Sequence, residues 1–391
     1  MPATDNCGIA RSQTGQKQSI HCRALIVQES RGVKAKSRKE QARSNPTNIL
    51  RVAIVLLFLG LAVWAITLNR YDLVIADREP WLWLTVALVS VGPELAGIVI
   101  GVVTIDYLNE RRQREQLKAQ FIRQMGSNIR DVAVPAAREL AHHGWLYDGS
   151  LSGANLDHAE LSGANLIHAD LDRAGLNKAN LSEANLEYAY LRNAELNRAN
   201  LSRADLSYAS VTGAFLCGSN LREAALIGTD LRGANLQDVD LAGATLEHAD
   251  LMFTRLVDAK LPGARLMHAK LCEADLIGAN LKGANLEEAD LSGAFLYRAN
   301  LSGAILELAN LSEADLEIVD LSGATLELAD LRGARNWTIK QLEQIDRLEG
   351  ATMPDGVQLN WERNLSREPI IGPTFEEWKA QYLAKQEAER G

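Results

Sequence analysis

Residues 151–170 read LSGANLDHAELSGANLIHAD, with Leu at positions 151, 156, 161 and 166. A spacing of five fits neither regular element. On an α-helix, five residues at about 100° each turn the side chain by roughly 140°, so successive Leu residues wander round the helix and no apolar face forms. On a flat strand, an odd step places successive Leu on opposite faces. A third geometry satisfies the spacing. If the chain bends after each short extended segment, the same position of every segment faces one axis, and stacked coils close backbone hydrogen bonds about 4.8 Å apart. The result is a solenoid in which each coil buries its apolar side only against its neighbours.

The pattern holds without a slip. Every fifth position from 151 to 331 gives 37 sites, of which 36 are Leu and one is Val211. Two residues before each Leu, positions 154–329 give 36 sites, of which 31 are Ala. The exceptions are Ser219, Thr229, Val239, Thr254 and Val319, all small or β-branched. Alternating large Leu with small Ala lets layers interlock in a narrow core. The remaining positions are mostly Asn, Asp, Ser, Gly, Glu, Arg and Lys, suited to solvent-facing turns.

The stretch from Ala154 to about Ala334 resembles the pentapeptide-repeat family, whose unit is A-[DN]-L-x-x. That resemblance implies an all-β solenoid, a right-handed quadrilateral β-helix with four pentapeptides per coil; periodicity alone does not give the number four. At about 4.8 Å per coil, roughly nine coils would make a rod near 43 Å long. The GWLYDGSL lead-in at 144–151 and LEGATMPDG at 348–356 look like flanks of such repeats in bacterial membrane-bound members. Members of the family typically act as structural or interaction modules.

Upstream, two apolar stretches predict a transmembrane hairpin over 49–106, with spans at 49–68 and 81–105. Val52 to Leu68 holds seventeen residues without a charge, against a lower limit of about 17 for crossing the hydrocarbon core. Trp81 to Ile105 carries one ionisable group, Glu94, beside Pro93, with Trp81 and Trp83 at an interfacial level. A carboxylate there is expensive, so Glu94 is read as protonated or locally hydrated at a Pro kink, or as a functional group of a membrane complex. Lys and Arg flank both outer ends, which predicts a two-span protein of the cell (inner) membrane with its N-terminus and everything after residue 106 in the cytoplasm.

Residues 1–48 carry nine Lys/Arg against three Asp/Glu, a balance of +6, and form a basic segment expected to be disordered and drawn to anionic lipid headgroups. Residues 107–147 read as a helical linker and N-terminal cap, with Ser127 or Asn128 as helix cap, Pro135 kinking or splitting the second helix, and Gly144 ending it. Trp145, Leu146 and Tyr147 offer apolar groups to plug the first coil of the repeat domain, 148–335. In the C-terminal cap, 336–391, Ile339, Leu342, Ile345 and Leu348 have helical spacing within 337–350, with Thr338 as N-cap and Gly350 as terminator. A second helix is expected from Thr374, where Glu377 completes a capping box and Trp378 and Tyr382 share a face.

Chemistry is sparse. No phosphate-binding loop, dinucleotide fingerprint, zinc spacing or nucleophile elbow occurs, and an unbroken run of repeats leaves no inserted loop to build a pocket. Catalysis, cofactor and metal sites are therefore not expected. Cys7, Cys22, Cys217 and Cys272 have no disulfide-like spacing and read as reduced thiols. His142 and His143 are adjacent and expected to point apart on the surface. Residues twenty apart should stack, which brings His168, Tyr188, Tyr208, Gly228, His248, His268, Glu288, Leu308 and Leu328 into one column. His248, His268 and Glu288 are read as solvated surface residues, with metal binding the minor alternative. Leu308 and Leu328, over Leu306 and Leu326, suggest an apolar partner contact.

Residues 151–335 hold 27 Asp/Glu against 15 Lys/Arg, a balance of −12 concentrated in 271–330. An acidic rod argues against direct nucleic-acid binding. The leading expectation is a membrane-anchored scaffold presenting this rod to an unknown protein partner. The alternatives are a DNA-mimicking, topoisomerase-protecting member, as the resemblance allows, and a sensor or accessory subunit of a membrane transport complex.

Overall fold

The computed structural model describes the backbone of residues 81–360 and 370–390, with side chains over 101–360 and 370–388. The first expected span, 49–68, lies outside the described residues, as does the basic segment 1–48. Among the described residues there are four helices: α1 (Trp81–Met125), α2 (Arg130–His142), α3 (Ile339–Leu342) and α4 (Phe375–Arg390). The chain divides into two compact units at residues 117 and 118. Among the described residues, no helix is long and apolar enough to cross a membrane. The backbone of α1 nonetheless runs as helix through Pro93 and on into the charged stretch after residue 106.

Between α2 and α3 lies a β-helix. Parallel bridges join every fifth residue to the one twenty further on, from Asn155 with Gly175 to Asp315 with Arg335. Four pentapeptides therefore make one coil. Leu and Ala at the repeated positions, all but the partly buried Ala154, are buried and form one continuous core.

Each residue type in the repeat answers a backbone demand, because a buried N–H left without an acceptor is costly. Around Leu286 the account is complete. Ala284 N–H closes a turn on Leu281 O at 3.0 Å, Asn285 N–H reaches back a coil to Ala264 O at 2.9 Å, and Leu286 N–H reaches forward to Ile305 O at 2.7 Å. Glu288 N–H also reaches forward, to Glu307 O at 2.9 Å. The amide left over, Glu287 N–H, donates to the Asn285 Oδ1 two residues earlier at 3.0 Å. The Asn or Asp before Leu thus caps the one donor the ladder omits. Where that position is Gly175, Tyr190, Glu195 or Phe215, the same donor turns to an oxygen one coil back: Asn177 to Asp157, Arg192 to Asp172, Asn197 to Asn177 and Cys217 to Asn197.

Every turn has its third residue, two after Leu, in the left-handed region, from Gly153 to Gly333. That conformation costs most L-residues roughly 1–2 kcal/mol, and more for branched ones. Gly occupies some corners, but Phe253 at φ 60° and the β-branched Ile318 at φ 57° do not have its freedom. The turn bonds that follow hold them there, Thr254 N–H on Leu251 O at 3.2 Å and Val319 N–H on Leu316 O at 3.3 Å. The departures from Ala are equally local. Ser219, Thr229 and Thr254 are buried and send their hydroxyls to Leu216 O, Leu206 O and Leu251 O at 2.7, 2.8 and 2.6 Å.

At the N-terminal end, Met125, Leu140, Trp145 and Leu146 close the core, while Tyr147 stays 40% exposed. Ser127 O and Leu146 O accept Glu160 N–H and Asp170 N–H, both at 2.8 Å, so the cap also satisfies the first coil's edge. The N-cap of α2 is Ile129, and Ser127 Oγ accepts its N–H at 3.2 Å. Pro135 sits inside α2 without splitting it.

The C-terminal end departs from expectation. Thr338 caps α3 through a capping box with Gln341, but the helix stops after four residues rather than running to Gly350. Arg347 pairs with Thr325 and Thr352 with Asp330, parallel, twenty-two residues apart. Leu348, Ala351 and Met353 thereby take the inward places of Leu326, Ala329 and Leu331, and all are buried. A two-residue insertion lets the solenoid continue. An antiparallel bridge from Thr352 to Gln358 then folds the chain back over the exposed edge. Helix α4 starts with the expected Thr374–Glu377 capping box, and Trp378, 1% exposed, donates its indole N–H to Asp355 carboxylate oxygens at 3.0 and 3.1 Å. Tyr382 stacks on Trp378 with ring centres 5.3 Å apart.

Two substitutions should move stability in opposite directions. Leu246→Ala, in a fully buried central layer, should lower the unfolding free energy by about 3 kcal/mol. Ile318→Gly, at an exposed left-handed corner, should raise it by about 1 kcal/mol. Urea unfolding followed by far-ultraviolet circular dichroism reads both.

Candidate interaction surfaces

The twenty-residue register turns sequence columns into physical ladders. In the column from His168 to Leu328, His168 stacks on Tyr188 at 5.1 Å between ring centres, and Tyr188 on Tyr208 at 5.3 Å. His248 and His268 lie 4.7 Å apart with planes 6° from parallel, and His268 Nδ1 meets Glu288 Oε2 at 3.2 Å. Parallel rings one coil apart form a stack rather than a convergent ligand set. Leu308 and Leu328 are half-buried at the end of the same column.

The next column carries charge. Glu287, Glu307 and Glu327 follow one another, and Glu349 takes the following place through the twenty-two-residue step. Glu327 is buried, its carboxylate paired with Arg347 Nη2 at 3.3 Å, while Arg347 Nη1 lies 3.7 Å from Glu307. Sequence reasoning missed this cluster because Arg347 falls in a segment that reads as helix. The usable signal was the L-x-x-A-x-M spacing of residues 348–353, which repeats the inward pattern of the coils.

Elsewhere ion pairs line the corners. Burial alone would push the Asp230 and Asp330 carboxyls up, but hydrogen bonds and charge from Arg232 and Arg332 outweigh it and hold both below the ordinary carboxylate value. Asp148 behaves likewise: burial opposes ionisation, and Ser150 and Lys118 more than offset it. Cys217 is half-buried, and Cys272, buried, donates its thiol to Asp290 Oδ2 at 3.0 Å.

At the N-terminal cap, the expected divergence of His142 and His143 is not observed. Their rings meet edge-on at 5.3 Å, and His143 stacks on Trp145 at 4.4 Å. Donor atoms of Glu139, His142 and His143 all lie within 4.8 Å of one another. Glu94 lies among helical residues whose side chains fall outside the description.

These features match known proteins in the repeat region. Overlapping matches between residues 150 and 335 fit the family described as "Pentapeptide repeats (8 copies)". The chain is 35% identical to the crystal structure of HetL, a pentapeptide repeat protein involved in heterocyst differentiation regulation from the cyanobacterium Nostoc sp. strain PCC 7120. That match covers 56% of this chain and 98% of HetL, with a TM-score of 0.53. Rfr23, from the cyanobacterium Cyanothece 51142, is 37% identical over 26% of this chain and 62% of its own, with a TM-score of 0.19. QnrB1, a plasmid-mediated fluoroquinolone resistance protein, is 17% identical over 51% of this chain and 87% of its own, with a TM-score of 0.35. No curated protein matches the chain. The chain belongs to the pentapeptide-repeat family, with a repeat region that matches right-handed β-helix proteins.

The charge geometry makes two predictions. Arg347→Ala removes a cationic partner of the buried Glu327 carboxylate and should cost about 1–2 kcal/mol in urea unfolding; adding Glu327→Gln should recover part of it. The lowered Asp230 and Asp330 carboxyls contribute stability that is present above their unfolded value, about 3.9, and lost as pH falls through the lower folded values. Asp230→Asn/Asp330→Asn should therefore flatten the fall in melting temperature across that acid window.

Proposed function

We propose that this protein is a membrane-anchored interaction scaffold: a two-span hairpin holds it in the cell membrane, and the β-helix offers flat, largely acidic faces to a protein partner in the cytoplasm, without catalysis. The observation that carries this reading is the uninterrupted twenty-residue register from Asn155 to Arg335. With every turn alike, outward side chains form straight ladders on a stiff body, suited to an extended contact rather than to enclosing a substrate. The anchor rests on sequence, namely the uncharged run Val52–Leu68 and the single ionisable group in 81–105. Lys and Arg on both outer flanks support the cytoplasmic side for the rod.

The partner surface we propose is the C-terminal half of the rod. Residues 271–330 hold twelve carboxylates against Lys282 and Arg298. Glu288, Glu313, Glu317 and Asp320 are exposed there, with the exposed apolar Phe295, Ile305 and Ile318 among them. Charge around apolar anchors steers and orients a basic partner. The acidity of 271–330 would also suit a DNA mimic, but the thirteen Lys and Arg on the rest of the rod and the membrane anchor disfavour that reading, and no described residue favours a transport accessory.

Two measurements check this. After alkaline carbonate extraction the full chain should stay with membranes, and a chain starting at residue 107 should not; full-length protein in the extract would refute the anchor. Crosslinking in native membranes followed by mass spectrometry should capture a defined partner, with yield falling about tenfold in Glu313→Lys/Glu317→Lys. An unchanged yield would move the contact off this face.

A further inference from the structure

Helix α2 ends in a way that gathers three metal-binding side chains. Its C-cap is His143, and the next two amides close back on the last turn: Gly144 N–H on Ala141 O at 2.9 Å and Trp145 N–H on Leu140 O at 2.8 Å. This pair of bonds is a Schellman motif, with Gly144 at φ 73° in its left-handed position. The motif folds Trp145 back beneath His143, so the imidazole rests on a buried indole at 4.4 Å, and Phe121 lies 6.4 Å from the same ring. His142, at the last helical position, then meets His143 edge-on, and Glu139, one turn earlier, shares the face of His142.

Two imidazoles and one carboxylate form a donor set for a borderline divalent ion. Among the described residues, this is the group of three such side chains whose ligand atoms all fall within 4.8 Å of one another. Tetrahedral coordination at about 2.0–2.1 Å needs donors roughly 3.4 Å apart, a closure within the rotamer freedom of the exposed Glu139 and His142. The negative end of the α2 dipole also favours a cation at this position. His143 is the fixed member, because the stack on Trp145 sets its plane.

The geometry points to a Zn2+ site formed by Glu139, His142 and His143, with a fourth position open to water or to a donor from a partner. Bound there, the ion would tie the end of α2 to the turn whose Trp145 and Leu146 plug the first coil. It would stiffen the cap that joins the rod to the preceding helix.

The test uses the untagged full chain in detergent micelles, titrated with Co2+ and followed by its visible absorption. One equivalent should bind saturably and be displaced by Zn2+. Glu139→Gln, His142→Ala and His143→Phe should each weaken binding about tenfold or more. His143→Phe keeps the aromatic stack, so the metal-free circular dichroism and melting temperature should not change. His248→Ala/His268→Ala should leave the affinity intact. The proposal is overturned if the unmodified chain shows no saturable binding, if the three variants bind as tightly as it does, or if the His248/His268 pair is the one that matters.

Discussion

The backbone N–H groups of a chain that turns every five residues have to find acceptors without a long strand or helix to supply them, and the rest of this structure follows from how they do so. Most reach the coil before or after, one closes the turn, and where Asn or Asp precedes Leu, as at Asn285, the remaining one is met by its side-chain oxygen. Only a chain in strict register satisfies the coil-to-coil and turn bonds together. Leu and Ala therefore recur at fixed places, and a left-handed corner is imposed even on Phe253 and Ile318. The hydrophobic core supplies the driving force. The amide account sets the geometry.

That logic explains which parts were legible in the sequence. Leu spacing and small residues two before it state the solenoid directly, because inward positions tolerate few alternatives. The twenty-residue coil was not in the periodicity, since three, four or five sides would each preserve a five-residue repeat; it came from resemblance and was then met by the bridge register. Stacking along the His168–Leu328 column followed once that number was fixed. The Asn and Asp residues before Leu were rightly read as serving turns, but their substitutes one coil back, such as Asp157 for Gly175, depend on three-dimensional adjacency that no local window contains.

The misreadings share a cause. Residues 337–350 have apolar groups three apart, which a helix and the end of this solenoid both permit, with Leu348 serving either. The two-residue insertion broke the register, and only Ala351 and Met353 beyond it betray that the coil resumes. Arg347 and its pairing with Glu327 were hidden with it. His142 and His143 were expected to diverge because ideal helical angles were applied past the last helical residue; the Schellman turn ends those angles at His143 and folds Trp145 under its ring. Chain ends and caps are where local pattern loses to tertiary packing. They are also where the acidic ladder and the three-donor cluster lie.

The twenty-residue coil is tested most directly by paired cysteines, with the four native cysteines replaced by serine. Asp250 and Lys270 are bridged neighbours on adjacent coils, which places their Cα atoms about 4.8 Å apart, within disulfide reach. Asp250→Cys/Lys270→Cys should oxidise readily to an intramolecular disulfide while the folded circular-dichroism spectrum is retained, and Asp250→Cys/Arg265→Cys, one side short of a coil, should not. Equal oxidation of the two pairs, or disulfide formation only in the second, would contradict a four-sided coil.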